Sequence, residues 1–273
     1  MPQAKTARQT PIAVTIAGSD SSGGAGVQAD LKTFSALGVY GASVIAALTA
    51  QNTRGVTAIH DVPAEFIAAQ IDAVFSDLAV NAVKIGMLSV LAAIETVAAG
   101  LDRYRPAAVV LDPVMVATSG ARLLAPKAVE ALVRTLIPRA RLITPNLPEA
   151  AALLDARVAT DETEMRTQAE RLLGLGAQAV LIKGGHGVGA ESVDLLVEPA
   201  RVVRFVARRI ATENTHGSGC TLSAAIAAGL AKGADLPAAV RTSKDFVSQA
   251  IAAADRLAVG LGPGPVHHLH AWW

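Results

Sequence analysis

Short apolar runs alternate with longer helical stretches along most of this chain. Ile12 to Ala17 is apolar and β-branched and reads as a first strand. A loop of turn formers, Gly18 to Gly26, leads into a helix from about Ala25 to Leu37, which Gly38 ends. Ser43 to Ala50 reads as a second strand, stopping at Gln51-Asn52-Thr53-Arg54-Gly55. Pro63 is placed at the first position of the next helix, which runs to about Asp77. Short strands follow at Asn81–Ile85 and Ala107–Leu111, with a helix starting at Ser89 between them. A helix over Pro126–Leu136 leads to the strand Arg141–Ile143, and helices follow over Leu147–Leu153 and Glu162–Leu173. Ala179–Ile182 is a strand, Ser192–Val197 and Val202–Ala207 read as antiparallel edge strands, and two helices, Gly219–Lys232 and Leu236–Ala258, finish the pattern.

Short apolar strands alternating with helices imply an α/β fold, with a mostly parallel sheet covered on both faces. In such a sheet ligands bind at the carboxyl ends of the strands. Polar clusters fall at those ends: Gly18–Asp20, Gln51–Asn52, Lys84–Gly86, Asp112, Asn146–Glu149 and Lys183–Gly185. Their shared placement weighs more than any one of them.

Composition narrows the classes. The 273 residues are 52% hydrophobic and 17% charged, which suits one compact domain over residues 11–273 behind a loose tail, residues 1–10. A net charge of +1 and 3% aromatic residues argue against nucleic acid and an anionic membrane as partners. No apolar run approaches the roughly 18 residues of a spanning helix, and the start lacks a signal-peptide pattern. A single cysteine makes no internal disulfide, which points to a reducing cytoplasm.

That cysteine lies in the most informative stretch, Asn214-Thr215-His216-Gly217-Ser218-Gly219-Cys220-Thr221-Leu222-Ser223, which runs on into apolar Ala224–Leu230. It reads as a glycine turn opening a helix. Glycines let backbone approach a ligand closely, and the first helical turn offers free N–H groups at the positive end of the dipole. Together they form an anion site suited to phosphate. Cys220 beside such a cradle points to phosphoryl transfer near an accepting hydroxyl. The plain alternative is a tight turn with Cys220 as a small filler.

Taken together, these residues resemble the bacterial hydroxymethylpyrimidine/phosphomethylpyrimidine kinases of thiamine biosynthesis, members of the ribokinase-like superfamily. The resemblance is carried by Ala17-Gly18-Ser19-Asp20-Ser21-Ser22-Gly23-Gly24-Ala25-Gly26 through Thr33, by Ala50-Gln51-Asn52-Thr53 and by Val83-Lys84-Ile85-Gly86-Met87-Leu88. Asp112-Pro113-Val114-Met115-Val116, Thr144-Pro145-Asn146-Leu147-Pro148-Glu149-Ala150, Lys183-Gly184-Gly185-His186 and the Cys220 loop continue it in the same order. It implies a three-layer sandwich, use of ATP and Mg2+, a small pyrimidine substrate and a homodimer. The expected reaction phosphorylates 4-amino-5-hydroxymethyl-2-methylpyrimidine and then its monophosphate.

The resemblance also implies roles. Gly217, Gly219 and Cys220 hold the transferring phosphate and its acceptor, with Cys220 as base or as the group that orients the hydroxyl; most ribokinase relatives carry aspartate there. A helix N-terminus is expected to raise the thiolate character of Cys220. Gln51 reads the aminopyrimidine edge, since its amide offers a donor and an acceptor. Gly18, Asp30 and Lys84 line or close the substrate pocket; a surface place on its helix is the alternative for Asp30, and Met87 reads more as core. Lys183, Thr215, Ser218 and Asn146 surround the nucleotide. Glu149 and Asp112 are the Mg2+ candidates, although Asn146 and Glu149 also form a helix capping pattern. His267, His268 and His270 read as tail residues, because their spacing is poor for zinc.

Two departures stand out. Ser218 replaces the usual threonine and keeps the hydroxyl, while Thr118 stands where many members carry lysine. The rival readings are a pyridoxal or pyridoxine kinase and a catalytically silent pyrimidine-binding regulator. A dehydrogenase is disfavoured, because the glycines after the first strand lack Gly-x-Gly-x-x-Gly spacing.

Overall fold

The structure, a computed structural model, describes residues 9–115, 126–187 and 189–273. Residues 1–8 of the expected tail, residues 1–10, and the Thr118 position lie outside the described residues.

The central strands of the sheet are short and buried, and the alternation of their side chains separates two cores. The parallel strands are β1 (Ile12–Gly18), β2 (Tyr40–Asn52), β4 (Ala82–Ile85), β5 (Val109–Leu111), β6 (Leu142–Ile143) and β7 (Val180–Lys183). Antiparallel β3 (Gly55–Asp61) extends one edge, and β8 (Glu191–Glu198) and β9 (Arg201–Arg208) extend the other. The nine strands run in the order β3-β2-β1-β4-β5-β6-β7-β8-β9. Val14, Ile16, Val83, Ile85 and Leu111 face one core with α2 (Ala64–Phe75), α3 (Leu91–Tyr104), α4 (Pro126–Ala131), α5 (Leu147–Leu153) and α6 (Glu162–Leu173). Their neighbours Ala13, Ala82, Val110 and Leu142 face the other, with α1 (Gly26–Ala36), α7 (Ser218–Ala231) and α8 (Leu236–Ala252). This is the expected three-layer sandwich.

Strand order reverses at β1, whose neighbours β2 and β4 are reached by connections running in opposite directions. Such a switch point leaves a crevice at the carboxyl ends of the strands. Helix α7 points its first turn into that region. It is apolar on nearly all sides, and Ala224, Ile226, Ala227 and Ala228 are fully buried. A helix of that composition is stable only inside the protein.

Several sequence expectations need correction. Strand β3 was not anticipated: as an outer strand with most of its side chains in water, Thr57 to Asp61 carries no buried stripe to reveal it. Pro63 is the N-cap residue of α2, not its first helical position. Beyond Ala131 the expected helix widens into a π turn, Leu132–Leu136, and tightens into a 3-10 turn, Ile137–Arg139. Helix α8 stops at Ala252, short of Ala258.

The histidines near the carboxyl terminus are not loose. His267 and His268 are buried, the His267 amide donates to the Ala250 carbonyl at 3.0 Å, and the His267 ring packs on Trp273. The adjacent Val266 is fully buried and anchors the segment, an apolar contact that the polar spacing of the histidines conceals.

His268 Nε2 is buried without a hydrogen-bond partner, and burial pushes the imidazole down to about 3. A folded value below the unfolded 6.5 means that protonation favours the unfolded chain, so this contribution to stability is lost as the pH falls through that window. Between pH 7 and pH 5 the native protein should lose about 2 kcal/mol more stability than His268→Leu, as read from denaturant unfolding at the two pH values. Parallel losses in the two proteins would contradict a neutral buried imidazole.

Candidate active site

The loop after β1 is organised by one carboxylate. Asp20 accepts from the Ser22 amide and hydroxyl at 2.9 and 2.6 Å and from the Gly24 and Ala25 amides at 3.1 and 2.8 Å. His216 Nε2 lies 2.8 Å from Asp20 Oδ2. Burial works against the Asp20 charge, yet the His216 and Ser22 contacts outweigh it and hold the carboxyl at about 2. Asp20 thereby ties the first loop of the chain to the loop that opens α7.

Gly217 forms the N-cap of α7 with φ +79°, and a Cβ there would stand 1.9 Å from the Gly24 carbonyl oxygen. Only glycine permits both that backbone and that approach. No side chain caps this helix end. Gly217, Ser218, Gly219 and Cys220 line a cavity of about 700 Å3 that spans the carboxyl ends of the strands, and Thr215 borders it.

Cys220 is part-exposed in that cavity and accepts a hydrogen bond from the Gly26 amide. Burial pushes its thiol up to about 11, and the nearby Lys84 ammonium offsets only part of this. The raised thiolate character expected from the helix N-terminus is therefore not found. Desolvation outweighs both the Lys84 charge and the Gly26 amide beside the sulfur.

Beside the first turns of α7 the floor is charged. Asp112 accepts from Lys183 Nζ at 2.7 Å and from the Thr144 hydroxyl at 2.9 Å, while Ser223 lies 3.2 Å from its other oxygen. Burial raises the Asp112 carboxyl, but Lys183 and Lys84 more than reverse that and keep it low. Lys183 Nζ is 3.9 Å from Glu149 Oε2. Asn146 and Glu149 cap α5 reciprocally, each backbone amide donating to the other side chain at 2.8 Å, and both still face the cavity. Burial drives Glu149 up to about 7, with Lys183 opposing and Asp112 adding.

At the other end, Gln51 sits at a β-bulge in β2. Its backbone N–H donates to Ser21 Oγ at 2.8 Å, and the Thr49 hydroxyl is 3.2 Å from its side-chain Oε1. Gly18, Lys84 and Met87 share this wall. A Cβ on Gly18 would meet the Met87 methyl at 2.5 Å, so Met87 shapes the site rather than the deep core.

Asp30 is the exception among the expected residues. It is fully buried behind the wall, neither lining the cavity nor on the surface. Its Oδ2 is 2.8 Å from Lys84 Nζ and 2.6 Å from the Thr15 hydroxyl, so it holds Lys84 from behind.

Sequence reasoning missed the pair Lys244–Asp194, 2.6 Å apart and lining the far end of the cavity. The signal was present: Lys244 falls on the apolar stripe of α8 with Val240 and Val247, where a lysine needs a buried partner. It also missed Asp20 and His216 as a pair, because 196 positions separate them.

A phosphomethylpyrimidine kinase family model matches residues 20–267. A hydroxymethylpyrimidine/phosphomethylpyrimidine kinase from Rhizobium meliloti (strain 1021) is 62% identical over 264 residues, covering 97% of this chain and 99% of the relative. A crystal structure of phosphomethylpyrimidine kinase from Clostridium difficile 630 is 47% identical, with a TM-score of 0.79 over 88% of this chain and 99% of that one. An ADP complex of Bacillus subtilis pyridoxal kinase superposes with a TM-score of 0.89 at 36% identity, covering 96% and 98% of the two chains.

The thiol environment has a direct test. Alkylation of Cys220 by iodoacetamide should be slow at pH 7 and rise about tenfold per pH unit up to pH 10 without levelling. A plateau below pH 9 would mean a stabilised thiolate.

Proposed function

The chain belongs to the phosphomethylpyrimidine kinase family, and on that premise we propose how its residues divide the work of phosphoryl transfer. It is a kinase of thiamine biosynthesis. With ATP it phosphorylates 4-amino-5-hydroxymethyl-2-methylpyrimidine and then the monophosphate. Among the described residues no helix is long and apolar enough to cross a membrane. We read residues 11–273 as one kinase domain.

One observation carries the assignment of roles: the uncapped first turn of α7, with Cys220 on it, stands beside Lys183 and Asp112, a Cβ on Gly219 lying 3.3 Å from Lys183 Nζ, in a cavity that Glu149 and Gln51 also line. Phosphoryl transfer needs alignment and charge neutralisation more than covalent help. Amides of Gly217 to Cys220 would hold the transferring group as an oxyanion site does. Lys183 would bear on the phosphates, with Thr215, Ser218 and Asn146 around them. Gln51 would read the aminopyrimidine edge, with Gly18 and Lys84 bounding the ring.

A thiol near 11 is mostly protonated at neutral pH, so Cys220 serves better to orient the hydroxymethyl oxygen than to deprotonate it in advance. That suits a loose transition state in which the hydroxyl proton leaves late. Lys84 places a buried positive charge beside this point, and Asp30 fixes it there at 2.8 Å.

Mg2+ fits the residues present in a limited way. Both Asp112 oxygens already accept hydrogen bonds, and Lys183 stands between Asp112 and Glu149. Among the described residues no three acidic, histidine or cysteine side chains form a metal cage. Glu149, raised by burial to about 7, is the carboxylate that a dication would most help to ionise. Glu149 would hold the ion largely through water, with Asp112 behind it, as Mg2+ commonly allows. Bound there, it would neutralise charge on the phosphates.

We also read the protein as a homodimer. Leu48 lies two residues beyond Ala46 on the α2 side of β2, and Leu48 and Phe66 are 46% and 61% exposed. Apolar side chains so exposed on β2 and α2 suit contact with a second copy. Leu48→Glu should shift the elution volume in size-exclusion chromatography from dimer to monomer; an unchanged dimer would place the contact elsewhere.

The assay that tests the function is ATP consumption with the hydroxymethylpyrimidine, its monophosphate and pyridoxal offered separately. Both pyrimidines should turn over, and Cys220→Ala should lower kcat about 100-fold or more while still folding. Turnover of pyridoxal alone would leave the phosphate site standing but overturn the Gln51 assignment. Absence of ATP consumption with any of them would favour a silent binding protein.

A further inference from the structure

The segment Gly260 to Val266, Gly-Leu-Gly-Pro-Gly-Pro-Val, lies against two loops at once. At one end the amides of Leu261 and Gly262 donate to the Thr53 hydroxyl at 3.2 and 3.1 Å. Thr53 lies in the β2–β3 turn, two positions after Gln51. At the other end the Gly264 amide donates to Asn214 Oδ1 at 2.6 Å. The His216 amide donates to the Gly264 carbonyl at 3.2 Å, and the Val266 amide to the His216 carbonyl at 3.1 Å. Asn214 and His216 immediately precede Gly217, the N-cap of α7.

The composition of this strap matches its position. A Cβ on Gly260 would stand 2.3 Å from Thr53 Oγ1, one on Gly262 would stand 2.3 Å from the Thr53 carbonyl oxygen, and one on Gly264 would stand 2.7 Å from Asn214 Oδ1. Every second residue is thus a glycine pressed onto one of the two loops. Pro263 between Gly262 and Gly264, and Pro265 after Gly264, fix φ and remove rotational freedom. A stretch of about 3.3 Å per residue, stiff in the middle and bonded at each end, carries a displacement from one loop to the other instead of absorbing it.

We infer that the Gly260–Val266 strap couples binding of the pyrimidine at the Gln51 turn to binding of the nucleotide at the α7 loop, with Thr53 and Asn214 as the positioning residues at its two ends. The inference rests on the proposed assignment of those loops to the two ligands. Neither residue lines the cavity. Each acts through the strap: Thr53 by accepting two amides, and Asn214 by accepting the Gly264 amide while its Nδ2 is held by Asp255 at 2.8 Å. Coupling of this kind is reciprocal, so either ligand must tighten the other by the same factor.

The test is calorimetric titration of 4-amino-5-hydroxymethyl-2-methylpyrimidine into the protein, with and without saturating ADP and Mg2+. In the native protein the nucleotide should tighten pyrimidine binding about fivefold or more. Thr53→Val and Asn214→Leu should reduce that factor to less than about twofold, while Thr53→Ser, which keeps the accepting oxygen, should retain it. Gly262→Ala should lose the coupling with both end residues intact, and thermal melts of each variant verify folding. Binding of both ligands without mutual tightening overturns the inference and leaves the functional assignment intact. So does Thr53→Val that keeps the native factor. Failure of the native protein to bind the pyrimidine overturns the substrate assignment and the inference with it.

Discussion

The Asp20 carboxylate holds the two ends of the sequence together, and the site exists because of it. Four donors from Ser22, Gly24 and Ala25 wrap the first loop around this one side chain, and His216 meets it at 2.8 Å from the far end of the chain. That contact seats Gly217 on the Gly24 carbonyl, an approach that leaves no space for a side chain. It also aims the first turn of α7 at the crevice beside β1. A charged acceptor with several donors is strong because its alternatives in the buried state are poor.

The second constraint is electrostatic. Two lysines are buried at the carboxyl ends of β4 and β7, each against its own carboxylate: Lys84 on Asp30 and Lys183 on Asp112, at 2.8 and 2.7 Å. A buried charge without a partner is costly, so these pairs fix where positive charge stands in the cavity. They differ in what they leave open. Asp30 lies behind the wall, whereas Asp112, Lys183 and Glu149 form a string that lines the cavity. The raised values of Glu149 and Cys220 mark the parts of the site whose charge state is not yet settled by internal partners.

Much of this was legible from the residue pattern. Strand and helix periodicity placed β1, β4, α5, α6 and the edge pair β8 and β9, and put the polar clusters at strand ends, where the cavity lies. Family motifs named Gln51, Lys84, Asp112, Asn146, Glu149, Lys183 and Cys220, all of which border that cavity. The failures have physical causes. β3 has no buried face to pattern, Asp30 is given a wall position because motif membership says nothing about depth, and the histidines of the carboxyl terminus read as tail residues because the contacts that seat them, His267 on Ala250 and Trp273 beside buried Val266, leave no periodic trace.

By itself the sequence determined the layered α/β architecture, because alternating strands and helices with apolar runs of these lengths can bury their faces in few other ways. It also determined the glycine-led helix start, since Gly217-Ser218-Gly219 ahead of an apolar helix has a local meaning. Only the tertiary structure decided the charge states and the partnerships across the chain. Whether Cys220 is thiol or thiolate depends on how much water the packed site excludes from it. Asp20 meets His216, and Thr53 meets Gly262, across about two hundred residues. Such contacts carry no periodicity, and desolvation is a property of the packed molecule, so neither can be read along the chain.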